Sequence, residues 1–281
     1  MYLFLAVLLC LGVSGCEARS TSGSLRHYDP SGPPTYRIPL PGDLAEVSGL
    51  AYTPDGRLLA HGDEEAVVYQ IDLAQGRPVK RFGIGGTQGP LRGDFEDIEV
   101  IGDRIFLVTS SGELVEGREG ADGETTAAVR RGSGLNGACE VEGLTRDQGS
   151  GSLLMLCKQT KGKRWQGQVV VLAISPETFE FEPEPRMLIP ENALRRVTGA
   201  RGFQGSAIIQ QPQGGAYILL AGPQRAYAEV DSTGNVLTGG VLRADRHRQP
   251  EGLAIAPDRT LIIGDEAAGK TATITGYAYR P

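Results

Sequence analysis

Short stretches of apolar residues, four to eight long, recur along this chain with turn-forming residues between them, and they carry no sustained helical period beyond the first residues. Val47–Tyr52, Arg57–His61, Glu65–Asp72 and Pro78–Phe82 read as four strands, the first two divided by Thr53-Pro54-Asp55-Gly56. The same rhythm predicts Ile98–Ile101, Ile105–Thr109, Glu113–Gly117 and Thr126–Arg130. A third group follows as Glu140–Arg146, Ser152–Lys158, Gln168–Ile174 and Arg186–Ile189. Ser206–Gln210, Ala216–Ala221, Ala226–Val230 and Val236–Leu242 form a fourth, and Gly252–Ile255, Leu261–Ile263 and Thr271–Tyr279 a fifth.

Each group opens on a related motif: Ser48-Gly49-Leu50-Ala51, Glu96-Asp97-Ile98-Glu99, Glu142-Gly143-Leu144-Thr145, Gln204-Gly205-Ser206-Ala207 and Glu251-Gly252-Leu253-Ala254. The intervals are 48, 46, 62 and 47 residues. A period near this length with only strands inside it predicts an all-β fold, a five-bladed β-propeller. A sixth, degenerate blade inside the long interval is the competing count. That interval carries two insertions, Lys158–Gln166 and a polar or helical stretch at Pro190–Arg196. The fifth group lacks a fourth strand, and Tyr36–Leu40, stranded ahead of the first group, is the expected donor that closes the ring.

Met1–Val13 is apolar, too short to span a bilayer but suited to a signal-peptide core. It runs into Val13-Ser14-Gly15-Cys16, which resembles the lipobox of bacterial lipoproteins, although no Lys or Arg precedes Arg19. The resemblance implies a signal over residues 1–15, lipidation at Cys16 and sorting to the outer membrane, facing the periplasm. Without lipidation the product is periplasmic or secreted. Ser-, Gly- and Pro-rich residues 16–35 are expected to be a flexible tether, leaving residues 36–281 as one propeller domain. Cys10 departs with the signal, so Cys139 and Cys157 remain. Pairing Arg146 with Ser152 puts Cys157 opposite Val141, and a bulge or small shift brings the two sulfurs together as a candidate disulfide; two buried thiols are the alternative.

Composition narrows the partners. A net charge of −6 argues against nucleic acid, and the basic stretches Lys158–Arg164 and Arg243–Arg248 lack interleaved aromatics. Gly83–Gly89 is glycine-rich but follows no strand-to-helix pattern, so it reads as a blade connection. No nucleophile elbow accompanies the three histidines. A membrane-held monomer binding a protein partner or a small anionic ligand is the expected setting.

Ser48-Gly49-Leu50-Ala51-Tyr52, Asp94-Phe95-Glu96-Asp97-Ile98 and His247–Ile255 together resemble the SdiA-regulated (YjiK-like) family of envelope β-propellers, distant relatives of NHL-repeat proteins. A looser likeness links them to phytase-like esterase propellers and six-bladed lactonases. The resemblance implies a five-bladed propeller with a calcium site and no established reaction. A propeller sets the residue before each motif glycine at one spot per blade, so Ser48, Glu96, Glu142, Gln204 and Glu251 form a ring, with Glu46, Asp94, Glu140, Gly202 and Gln249 two residues behind. Crowded carboxylates need a proton or a cation among them. Oxygen-only ligands select Ca²⁺, then Mg²⁺, over Zn²⁺. The alternative has these glutamates capping strands. The chain is thus expected to be a calcium-holding binding or scaffold module; the rival reading is a metal-dependent hydrolase of phosphoester, ester or lactone substrates.

Overall fold

A computed structural model describes residues 24–132, 135, 137–212 and 215–281. The signal segment and Cys16 lie outside the described residues. Five sheets, antiparallel except for one strand added to blade 1, radiate from a central axis, and the innermost strand of each packs against the innermost strands of its two neighbours. Those five strands are Val47–Tyr52, Phe95–Ile101, Cys139–Arg146, Ala207–Gln210 and Pro250–Ile255, heading blades 1 to 5. The long interval holds no sixth blade. It is taken up by the Lys161–Gly167 loop and by the helix Glu191–Thr198, whose Leu194 is buried against blades 3 and 4.

Tyr36–Pro39 completes blade 5 by pairing antiparallel with the C-terminal strand Thr273–Tyr277, with Tyr36 opposite Gly276 and Pro39 opposite Thr273. The predicted strand Thr126–Arg130 is divided at Ala128. Thr125–Ala127 runs parallel to the outer strand of blade 1, Arg77–Gly86, while Val129–Arg131 joins blade 2. The glycine-rich Gly83–Gly89 is a hairpin on that outer strand, with Gly86 opposite Gly89.

Residues 24–34, expected as part of the tether, are instead docked. Leu25 and Tyr28 enter the core between blades 4 and 5. Buried Glu229 receives the Ser24 and Leu25 backbone N–H groups at 2.7 and 2.9 Å, which anchors the short 3₁₀ turn Ser24–His27. Two apolar side chains and one carboxylate thus supply the burial that the Ser/Gly/Pro composition concealed. Cys139 and Cys157 are joined as a disulfide with Cα atoms 5.6 Å apart, across a register shift that sets Val141 opposite Cys157.

Candidate functional site

The residues that open the innermost strands share a local irregularity. Val47 pairs with Gly62 and Gly49 with His61, so Ser48 is left as the extra residue of a β-bulge. Glu96, Glu142 and Glu251 are skipped in the same way. A bulge turns its extra residue out of the ladder, and in blades 2, 3 and 5 it brings a glutamate into one cluster at the channel mouth. In blade 4 Ala207 pairs with Leu220, the place that Gly49, Gly143 and Gly252 hold in their blades, so Ser206 is the fourth blade's ring residue. Gln204 stands two residues behind, beside Glu46, Asp94, Glu140 and Gln249. Its amide is tied to Gln224, with Gln204 N–H on Gln224 Oε1 (2.9 Å) and Gln224 Nε2 on Gln204 Oε1 (3.0 Å). The expected assignment of Gln204 to the ring is therefore corrected to Ser206. The Gly205 motif misled because Ala207 supplies blade 4's small residue; matching the apolar residues Leu50, Ile98, Leu144, Ile208 and Leu253 identifies it.

Lys158, at the end of the predicted strand Ser152–Lys158, reaches into this ring from the second strand of blade 3. Its Nζ donates to Glu142 Oε1 at 2.7 Å and lies 3.6 Å from Glu140 Oε1. Glu266, just past the second strand of blade 5, joins the cluster and accepts from Gln249 Nε2. Sequence periodicity could not locate either residue, because neither belongs to the repeated motif.

Charge and burial set the protonation of these groups. Burial, then the neighbouring Glu142 and Asp94, pushes the Glu96 carboxyl up to about 9. Burial, then Glu142 and Glu266, pushes Glu251 up to about 8, with Ser206 opposing. Glu266 is raised to about 7 by burial and by Asp63. Glu142 is raised by burial against the pull of Lys158. Burial disfavours the charge on Lys158, but Glu142, Glu140 and Glu251 outweigh it and hold the ammonium firmly protonated. Among the described residues none donates a hydrogen bond to the Glu96 side chain. The Glu251 carboxylate lies against Gly222, where a Cβ would come within 2.8 Å of its Oε1.

Beneath the ring, Leu50, Ile98, Leu144, Ile208 and Leu253 line the channel with apolar surface, and a cavity of about 290 Å³ continues toward the far end. Buried Asp97 joins blades 2 and 3, taking the Ile98 N–H on Oδ1 (2.8 Å) and the Leu144 N–H on Oδ2 (2.7 Å). Next to it, buried His61 has Nδ1 on Gly62 O at 2.8 Å, and desolvation lowers the ring to about 4, so it stays neutral.

No protein-family model matches the chain, and no curated protein matches it. Solved structures do resemble it. One is the glutaminyl cyclase of Myxococcus xanthus, 13% identical over 88% of this chain and 96% of that one, with a TM-score of 0.57. Another is the PQQ-bound aldose sugar dehydrogenase of Streptomyces coelicolor, at 12% identity, 88% and 97% coverage and a TM-score of 0.56. A third is the calcium-binding protein regucalcin of Agrobacterium tumefaciens, at 12% identity, 88% and 96% coverage and a TM-score of 0.53. At this level of identity the likeness shows the propeller fold, and the narrower SdiA-regulated resemblance rests on the sequence motifs alone.

Proposed function

We propose that this chain is an envelope binding module whose ligand is a small organic cation held at the channel mouth. The observation that carries this reading is an imbalance of charge. Glu96, Glu142, Glu251 and Glu266 gather around a single ammonium, Lys158, and three of the four carboxyls are pushed to about 7 or above. Entry of a positive group would let these acids ionise, so binding is coupled to proton release. The envelope location rests on the lipobox-like Val13–Cys16.

The calcium ion that the family resemblance implies fits the donor chemistry but not the arrangement. Lys158 Nζ already engages Glu142, and among the described residues no three Asp, Glu, His or Cys side chains converge as a metal site. Calcium asks for six to eight oxygens at once, whereas an amine takes carboxylate oxygens singly. Calorimetry in two buffers of different ionisation enthalpy, with 1,4-diaminobutane and with Ca²⁺, tests the reading. Diamine binding with proton release at pH 7.5, lost in Glu251→Gln, is the expected result. Binding of Ca²⁺ alone would replace it with the calcium reading.

The hydrolase reading keeps one specific support. Glu96 is protonated at neutral pH beside an ion-paired Glu142, and a split of this kind assigns an acid and a base. Turnover of an ester or lactone that disappears in Glu96→Gln would favour it.

A further inference from the structure

A second pocket opens in blade 5, outside the ring, and its chemistry has the opposite sign. It encloses about 410 Å³ and is lined by Arg37, Arg248 and Lys270, with Asp245 and Thr273 among the remaining residues. Asp245 does not neutralise these cations, because both its oxygens are taken by Arg243 at 3.0 Å. The Arg37 guanidinium donates to a backbone carbonyl, that of Arg246, at 3.0 Å. Among the described residues Arg248 and Lys270 have no side-chain partner. Three positive side chains therefore line one pocket of an acidic protein, and the carboxylate among its lining residues, Asp245, is already paired with Arg243.

The pocket also contains an unused donor. Thr273 is 7% exposed, and its Oγ1 is buried without a hydrogen-bond partner. A buried hydroxyl is ordinarily paired, so this one, unpaired at the wall of a cationic pocket, is free to donate to a ligand there once its side chain turns outward.

The pocket wall is built to hold its shape. The Arg243–Gln249 segment crosses over blade 5 and is pinned there by His247, whose Nδ1 meets Asp265 Oδ2 at 2.7 Å and whose Nε2 meets the Tyr277 hydroxyl at 2.6 Å. The Arg248 backbone N–H donates to Asp265 Oδ1 at 3.0 Å. Arg248 thus departs from a fixed backbone, and Thr273 sits in the closing strand pair, opposite Pro39. Guanidinium and ammonium groups set around a hydroxyl suit a tetrahedral anion with several acceptor oxygens.

We propose that this pocket binds a phosphoryl group through Arg37, Arg248, Lys270 and the Thr273 hydroxyl. The phosphate or phosphomonoester form and the phospholipid-headgroup form share this chemistry. Calorimetry on the full chain with inorganic phosphate, and separately with glycerophosphoglycerol, distinguishes them: tighter phosphate binding supports the first, tighter binding of the diester the second. Arg248→Ala/Lys270→Ala is expected to weaken the preferred ligand by about tenfold or more, the loss that follows removal of a charge-assisted hydrogen bond. Thr273→Val keeps the β-branched shape, so it is expected to retain the melting temperature of the unliganded protein while weakening binding several-fold. Saturable binding to neither ligand, or wild-type affinity in the double variant, overturns the proposal.

Discussion

Asp97 stands where three other blades carry Gly49, Gly143 and Gly252, in the tight space between neighbouring innermost strands. A Cβ at Gly143 would come within 3.0 Å of the Ile208 backbone nitrogen, which explains glycine there. Asp97 is accommodated because its carboxylate becomes part of the next blade's hydrogen bonding, receiving Leu144 N–H as well as its neighbour Ile98. Asp97→Ala therefore leaves two buried donors open. Each orphaned group costs about 1–3 kcal/mol, and denaturant unfolding should register a loss of that order. The ring acids act on stability through pH. Glu266, Glu251 and Glu96 titrate at about 7, 8 and 9 when folded, against 4.5 for an ordinary glutamate. The folded state holds their protons where the unfolded state has lost them, so the stabilisation is complete below pH 4.5 and is lost as pH rises through 7 to 9. Melting temperatures should fall across that window, and Glu96→Gln should flatten the upper part of the slope. Glu96, Glu142 and Glu251 were legible in the sequence because acid precedes a small or turn-adapted residue at a regular interval. Ser206, Lys158 and Glu266 were not, since blade 4 shifts its small residue to Ala207 and the other two reach the ring from outside the repeat.

At the scale of the strand, periodicity revealed the ladders but not the bulges, which are register shifts between strands rather than patterns within one. Four such shifts set Ser48, Glu96, Glu142 and Glu251 apart as the extra residues of their innermost strands. The split at Ala128, whose N–H bonds Gly85 O at 2.9 Å, was equally hidden, because no turn residue marks the point where Thr126–Arg130 parts to serve two sheets. The disulfide ties the first two strands of blade 3 beside the ring, closing a segment of 18 residues. In the loop-entropy account a closure of this size contributes about 3 kcal/mol. Cys139→Ser/Cys157→Ser should lower the denaturant midpoint by a comparable amount, and dithiothreitol should reduce the wild type to the same midpoint.

For the whole molecule, the decisive element is the four-residue strand Tyr36–Pro39. Deleting residues 24–40 would expose Thr273–Tyr277 as an open edge and remove Leu25 and Tyr28 from the core. Light scattering should show aggregation of this truncation at concentrations where the full chain stays monodisperse. The orphan strand was readable because the fifth repeat came up one strand short; the docking of residues 24–34 was not, because two apolar residues leave no period.

The same closure governs when the molecule can exist. Ala278 donates to Thr35 across 243 residues, so the earliest strand of the propeller to be made is the one that waits for the last. Until the final residues arrive, every partial chain is an open arc with an unmatched end on each side. Contacts this distant in sequence make folding slow. A chain interrupted near its end would leave Tyr36–Pro39 without a partner and strip blade 5 of both its outer strands.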